Sequence, residues 1–185
     1  MYIGLFDIET TGLDADFGVV LCSSIKDWHN NYQTVFRIDD GPPGAARSDD
    51  SHVVSATIEE LKKFDILIAH NGVQFDKQYL NSRALRWHQS GLLLPDTKII
   101  DPVKLARNHL RLGYNSLERL AQHLQTPHQK EKIQGPTWVR AGMDRDEDAM
   151  NEVVSHCKND VLVLQDVMEQ LRPFIRKIDS WGSAS

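Results

Sequence analysis

Cysteine is scarce in this sequence: only Cys22 and Cys157 occur in 185 residues, and neither their number nor their spacing makes a disulfide framework or a zinc site. Both fall inside expected secondary-structure elements and read as reduced core thiols. No apolar run approaches the roughly 18–20 residues that cross a bilayer. The N-terminus also lacks a basic stretch followed by an apolar one. These absences point to a soluble, intracellular protein with no membrane partner, cytoplasmic in a prokaryotic or viral setting. Nor is there an excess of positive charge, since 21 Lys and Arg face 26 Asp and Glu for a net charge of -5. That balance argues at first against a polyanionic partner. Bound cations would offset several acids, however, and residues 77–111 hold seven basic residues against two acidic ones. That stretch is either a phosphate track or the solvated faces of two helices. The chain has no nucleotide-triphosphate loop and no Ser or Cys nucleophile with partners, which removes those classes. Internal repeats and low-complexity segments are missing too.

What is present is enough apolar residue, 41%, to bury one good core. The expected organisation is one domain over residues 1–175, with 176–185 as a disordered tail. The opening MYIGLFDIET reads as a buried strand ending in acids. Strands are expected over 18–28 and 32–38, completing an antiparallel meander, with an irregular loop at 41–50. A helix capped by Ser55 or Thr57 leads to a buried strand, DILIAH, at 65–70. A helix over 74–89, a short strand at 97–100, and a helix announced by Asp101 and Pro102 follow. Asn115 and Glu118 have capping-box spacing for the next helix. Residues 125–145 read as a long loop, and the last helix is expected from Asp146 to Leu171, ended by Pro173.

Three groups of acids carry the chemistry. Asp7 and Glu9 lie two apart on a strand, so both carboxylates point to one face. Two such charges at the end of a buried strand call for a compensating cation, unless they are simply solvated there. Asp76 falls in the first turn of a helix after DILIAH, where the helix dipole alone would favour it. His70 and Asn71 end that strand, where polar residues of an α/β sheet tend to face a ligand crevice. On the last helix His156 lies four residues before Asp160 and on the same face, so the two either pair with each other or join a site. Together the groups can bring four carboxylates and one titratable base to one cleft.

At these residues the sequence resembles the DEDD superfamily of 3′–5′ exonucleases, the ribonuclease H-like group that includes proofreading domains of DNA polymerases. FDIETTGL at 6–13, AHNGVQFD at 69–76 and HCKNDV at 156–161 look like its three motifs, in the family's order. The resemblance implies an α/β fold with a mixed five-stranded sheet, three antiparallel strands then two parallel, flanked by helices. It also implies that Asp7, Glu9, Asp76 and Asp160 hold two divalent cations, Mg²⁺ or Mn²⁺. Thr10, Thr11, Gly12 and Leu13 would border the 3′-terminal nucleotide, with Asn71 and Phe75 beside it. The implied activity is release of nucleoside 5′-monophosphates from single-stranded 3′ ends, DNA favoured over RNA. One departure stands out: one branch of the family has Tyr four residues before the last Asp, the other His five before it. Here His156 combines the spacing of the first with the residue type of the second. An unperturbed His titrates near pH 6.5, so His156 is chemically able to act as general base.

Other readings of the same residues are an RNA exonuclease of the same fold, a non-catalytic nucleic-acid-binding module, and a small-molecule phosphodiesterase. All four acids are present, which disfavours the module; the Thr10–Leu13 turn disfavours the phosphodiesterase. Lys130 and Lys132 join the basic residues of 77–111 as candidate phosphate contacts. Recruitment by a polymerase or another replication or repair protein is left open.

Overall fold

The computed structural model describes residues 1–93, 95–144 and 146–175; the expected tail at 176–185 lies outside them. Five strands form one sheet in the order β3-β2-β1-β4-β5. They are β1 (Ile3–Thr10), β2 (Val20–Asp27), β3 (Gln33–Arg37), β4 (Ile66–Ile68) and β5 (Ile99–Ile100). The first three pair antiparallel, while β4 runs parallel to both β1 and β5. This is the expected mixed sheet.

Side-chain alternation along β1 sorts the molecule into layers. Ile3 and Leu5 face α3 (Pro102–His109), α4 (Leu117–Leu124) and the long α6 (Glu147–Leu171). Phe6 and Ile8 face α1 (Ser51–Leu61) and α2 (Asp76–Arg86) on the opposite side. Asp7 and Glu9 continue the odd-numbered series, so they emerge beneath α6. That helix lays Met150, Val153 and Cys157 against Leu21 and Cys22 of β2, and Val161, Leu164 and Met168 against the β1 and β4 side. Both cysteines are buried and free.

Several local expectations need correction. Helix α1 starts at Ser51, with Asp50 as its N-cap residue, not at Ser55 or Thr57. Asp50 makes no side-chain cap bond because its carboxylate is taken by Arg83, by Trp87 Nε1 at 2.7 Å and by the Val20 N–H at 2.8 Å. The cap of α4 is Ser116, whose Oγ accepts from the Arg119 N–H at 3.3 Å, one residue later than the Asn115 box. Segment 125–145 is not loop throughout: α5 (Gly135–Val139) and a π turn (Arg140–Asp144) interrupt it. Asp101 does cap α3, its Oδ1 accepting from the Val103 N–H at 2.9 Å.

Candidate active site

The C-terminal half of β1 outruns its parallel neighbour. Pairing between β1 and β4 ends at Leu5 and Ile68, which leaves the Ile8 N–H without a strand partner on that side. Asp76, the first residue of α2, fills the gap: its carboxylate accepts from the backbone N–H groups of Ile8 and of Asp76 itself. Asp76 is thereby held at the end of β1 and is 3% exposed. Its field also raises the Asp7 carboxyl.

From the helical side, His156 and Asp160 project one turn apart from α6. His156 Nε2 lies 3.7 Å from Glu9 Oε1 and 3.7 Å from Asp160 Oδ2. Cys157 Sγ is 3.6 Å from Asp7 Oδ2. One cleft of about 430 Å³ is lined by Asp7, Glu9, His156 and Asp160 together with Lys130 and Trp138. Potential ligand atoms of Glu9, His156 and Asp160 lie within 4.8 Å of one another, as do those of Asp7, Glu9 and Cys157. Among the described residues, Asp160 Oδ1 and His156 Nδ1 are buried without a hydrogen-bond partner.

Crowding and burial dominate the electrostatics. Burial is the largest cause raising the Asp7 carboxyl well above its usual range, and the fields of Asp76 and Asp160 add to it. Glu9 is pushed up to about 10, by burial first and then by Asp7. Asp76 rises to about 7 through burial, against its two backbone hydrogen bonds. Burial lowers His156 despite the neighbouring Asp160. Two lysines line the cleft: Lys130 is paired with Asp160, while Lys132 lies at its exposed edge. Burial disfavours the charge on Lys130, but Asp160, Asp7 and Glu9 outweigh that and raise its pKa. Two lysines among the lining carboxylates of Asp7, Glu9, Glu131 and Asp160, with buried Asp76 behind them, leave the cleft short of positive charge. Hard oxygen donors, one of them unpartnered, are what a hard divalent cation takes.

Other expected residues are distributed differently. Thr10 Oγ1 donates to the Gly12 carbonyl at 2.7 Å, and Thr11 exchanges bonds with Val19, its N–H donating to the carbonyl and its Oγ1 accepting from the N–H, both at 3.0 Å. These bonds fix the turn beyond the acids, with Leu13 exposed at its tip. Asn71, at φ 60°, faces another cavity with His70, Arg107, Tyr114 and Arg119. Phe75 packs on Tyr79, ring centroids 5.5 Å apart. Neither Asn71 nor Phe75 lines the acid cleft. Of the basic stretch 77–111, Arg83 is buried against Asp50 and cannot serve a phosphate track. Lys130 meets Asp160, and Lys132 lies 3.5 Å from Glu118. Sequence reasoning missed Lys130's place among the acids, and also Trp138, whose ring sits edge-on to His156 at 6.0 Å. Neither belongs to a periodic segment, so no local pattern marks them.

Comparison with known proteins agrees with this architecture. Over 121 residues the chain is 28% identical to the protein named DNA polymerase III PolC-type from Ureaplasma parvum serovar 3, covering 56% of this chain and 8% of that one. The fold matches the family B DNA polymerase of the hyperthermophilic archaeon Pyrobaculum calidifontis with a TM-score of 0.70 at 18% identity, over 94% of this chain and 25% of that one. At such identity the second likeness speaks for the fold alone, and this chain spans only a small part of either polymerase. Residues 5–172 match the family model of the RNase_H superfamily. With that match over nearly its whole described length, and a mixed five-stranded sheet carrying acids at the end of its first strand, the chain belongs to the RNase_H superfamily.

Proposed function

We propose that the chain is a cation-dependent 3′–5′ exonuclease that releases nucleoside 5′-monophosphates from single-stranded ends, DNA favoured. The observation that carries the reading is the deficit of positive charge around Asp7, Glu9, Asp76 and Asp160. Their carboxylates would hold two divalent cations, Mg²⁺ or Mn²⁺. When bound, such cations supply Lewis-acid stabilisation for charge on the attacking and leaving oxygens of an in-line displacement at phosphorus. His156 Nε2 accepts a proton from the attacking water, its lowered pKa keeping the ring unprotonated and free to do so at neutral pH. Thr10, Thr11, Gly12 and Leu13 border the terminal nucleotide. Asn71 and Phe75 lie outside the acid cleft and would meet the nucleotide only beyond it, on the α2 side. The whole described chain acts as one nuclease domain, 1–175, alone or recruited by a polymerase or repair protein.

The direct test is digestion of 5′-labelled single-stranded DNA and RNA of one sequence with Mg²⁺, with Mn²⁺ and with chelator. A cation-dependent ladder shortening from the 3′ end is expected, and the faster ladder gives the preferred sugar. Intact substrate throughout would transfer the weight to a non-catalytic binding module. Asp7→Ala is expected to lower kcat/KM at least about a thousandfold, on the order of 4 kcal/mol, without unfolding the chain. Activity near wild type in that variant would sink the assignment of the acids.

A further inference from the structure

Beside the acid cleft lies a second cavity of about 550 Å³, and Trp138 lines both. Its walls come from the turn after β1 and from α5 and the π turn, with Phe17, Val139 and Met143 as its apolar surfaces. These three side chains are unusually bare for their type: Phe17 is 91% exposed, Met143 65% and Val139 54%. Arg47 stands at the rim, one guanidinium nitrogen donating to the Met143 carbonyl. An arginine has five N–H donors, so most of this group is left to face a solute.

One wall of this second cavity is built closely. A Cβ at Gly142 would come within 2.7 Å of Thr11 Cγ2. Glycine at this point lets the π turn close against the end of β1, and inserted π turns often mark functional sites. Trp138, common to both linings, makes the cavity a neighbour of the acids.

The geometry points to a stacking subsite for a nucleobase of the strand whose phosphodiester lies at the acids, with Phe17 and Trp138 as the ring faces and Arg47 beside the connecting phosphate. This rests on the reading of the acid cleft as a nucleic-acid site and adds to it where an adjoining base goes. A nucleobase fits better than an apolar side chain of a protein partner for two reasons. The cavity adjoins the carboxylate cleft, with Trp138 lining both. Its rim also carries a cation suited to phosphate. Stacking is indifferent to base identity, so the subsite would give affinity for single strands without sequence preference. A volume of about 550 Å³ lies within the range of small-molecule pockets.

The test measures binding of 5′-fluorescein-labelled single-stranded oligothymidylate by anisotropy in the presence of Ca²⁺. Phe17→Ala is expected to weaken binding about tenfold, and Phe17→Trp to retain it. Phe17 is almost wholly exposed, so neither change threatens the fold. A strand with an abasic residue at the stacked position, found by moving that residue inward from the 3′ end, should bind wild type about tenfold more weakly and Phe17→Ala no worse than an intact strand. Equal binding of the intact strand by wild type and Phe17→Ala would overturn the proposal. So would an equal loss in Phe17→Ala on intact and abasic strands. Wild-type hydrolysis of the p-nitrophenyl ester of thymidine 5′-phosphate separately reports the acid cleft. Hydrolysis of that ester together with Phe17-independent binding would defeat the subsite alone; an inert wild type with Phe17-dependent binding would support the subsite and defeat the exonuclease reading.

Discussion

Lys130 holds Asp160 Oδ2, an oxygen that a divalent cation in the cleft would take. Removing the ammonium in Lys130→Met is expected to tighten Mn²⁺ binding several-fold, about 1 kcal/mol, by titration calorimetry. Weaker binding in that variant would show that the lysine assists the cation. His156 is open to a kinetic test. Burial lowers its pKa, so the ring is neutral at pH 7, and His156→Ala is expected to cost about a hundredfold or more in rate there. The deficit should narrow as pH rises and hydroxide becomes available without a base. A wild-type-like, parallel pH profile would leave His156 with a packing role against Trp138. At this scale the sequence was most readable where a periodicity holds. Asp7 with Glu9 follow the period of a strand, and His156 with Asp160 that of a helix. Lys130 could not be read, because only the tertiary placement of a non-periodic segment brings it to α6.

Among the elements, the strands and the longest helix were legible from their apolar runs, while caps were not. The α1 start was misplaced because Asp50, its N-cap residue, turns its carboxylate away from the helix to tie β2, α1 and α2 together. That carboxylate binds Arg83, Trp87 and the Val20 N–H in a fully buried setting. Breaking a buried pair strands the remaining charge, so Asp50→Ala should cost about 3–5 kcal/mol in denaturant unfolding. A loss under 1 kcal/mol would mean that water replaces the carboxylate. The 135–144 segment was read as loop because Gly135, Pro136 and Gly142 signal chain breaks. Yet Pro136 sits in the first turn of α5, where its missing N–H costs nothing, and Gly142 permits the approach to Thr11.

For the molecule as a whole, the crowded carboxyls couple folding to both protons and cations. Glu9 at about 10 and Asp7 well above its ordinary range hold protons more tightly folded than unfolded. Their stabilising contribution is therefore complete at acid pH and is lost as pH rises through those folded values. His70, lowered to about 4, and His156 act in the opposite sense, but only below about pH 6.5. In chelator the melting temperature should thus fall between about pH 7 and pH 9, and Mg²⁺ should restore it by binding the folded state alone. A chelated melting temperature that is flat or rising over that range would refute the burial of these charges. The contact between Cys157 and Asp7 joins positions 150 residues apart. During synthesis, β1 leaves the ribosome long before α6, and at about 5–20 residues per second the interval is many seconds. Until the last helix emerges, the N-terminal carboxylates have no partner surface across from them. A half-made chain accordingly carries Asp7 and Glu9 without the His156 and Asp160 side of the cleft.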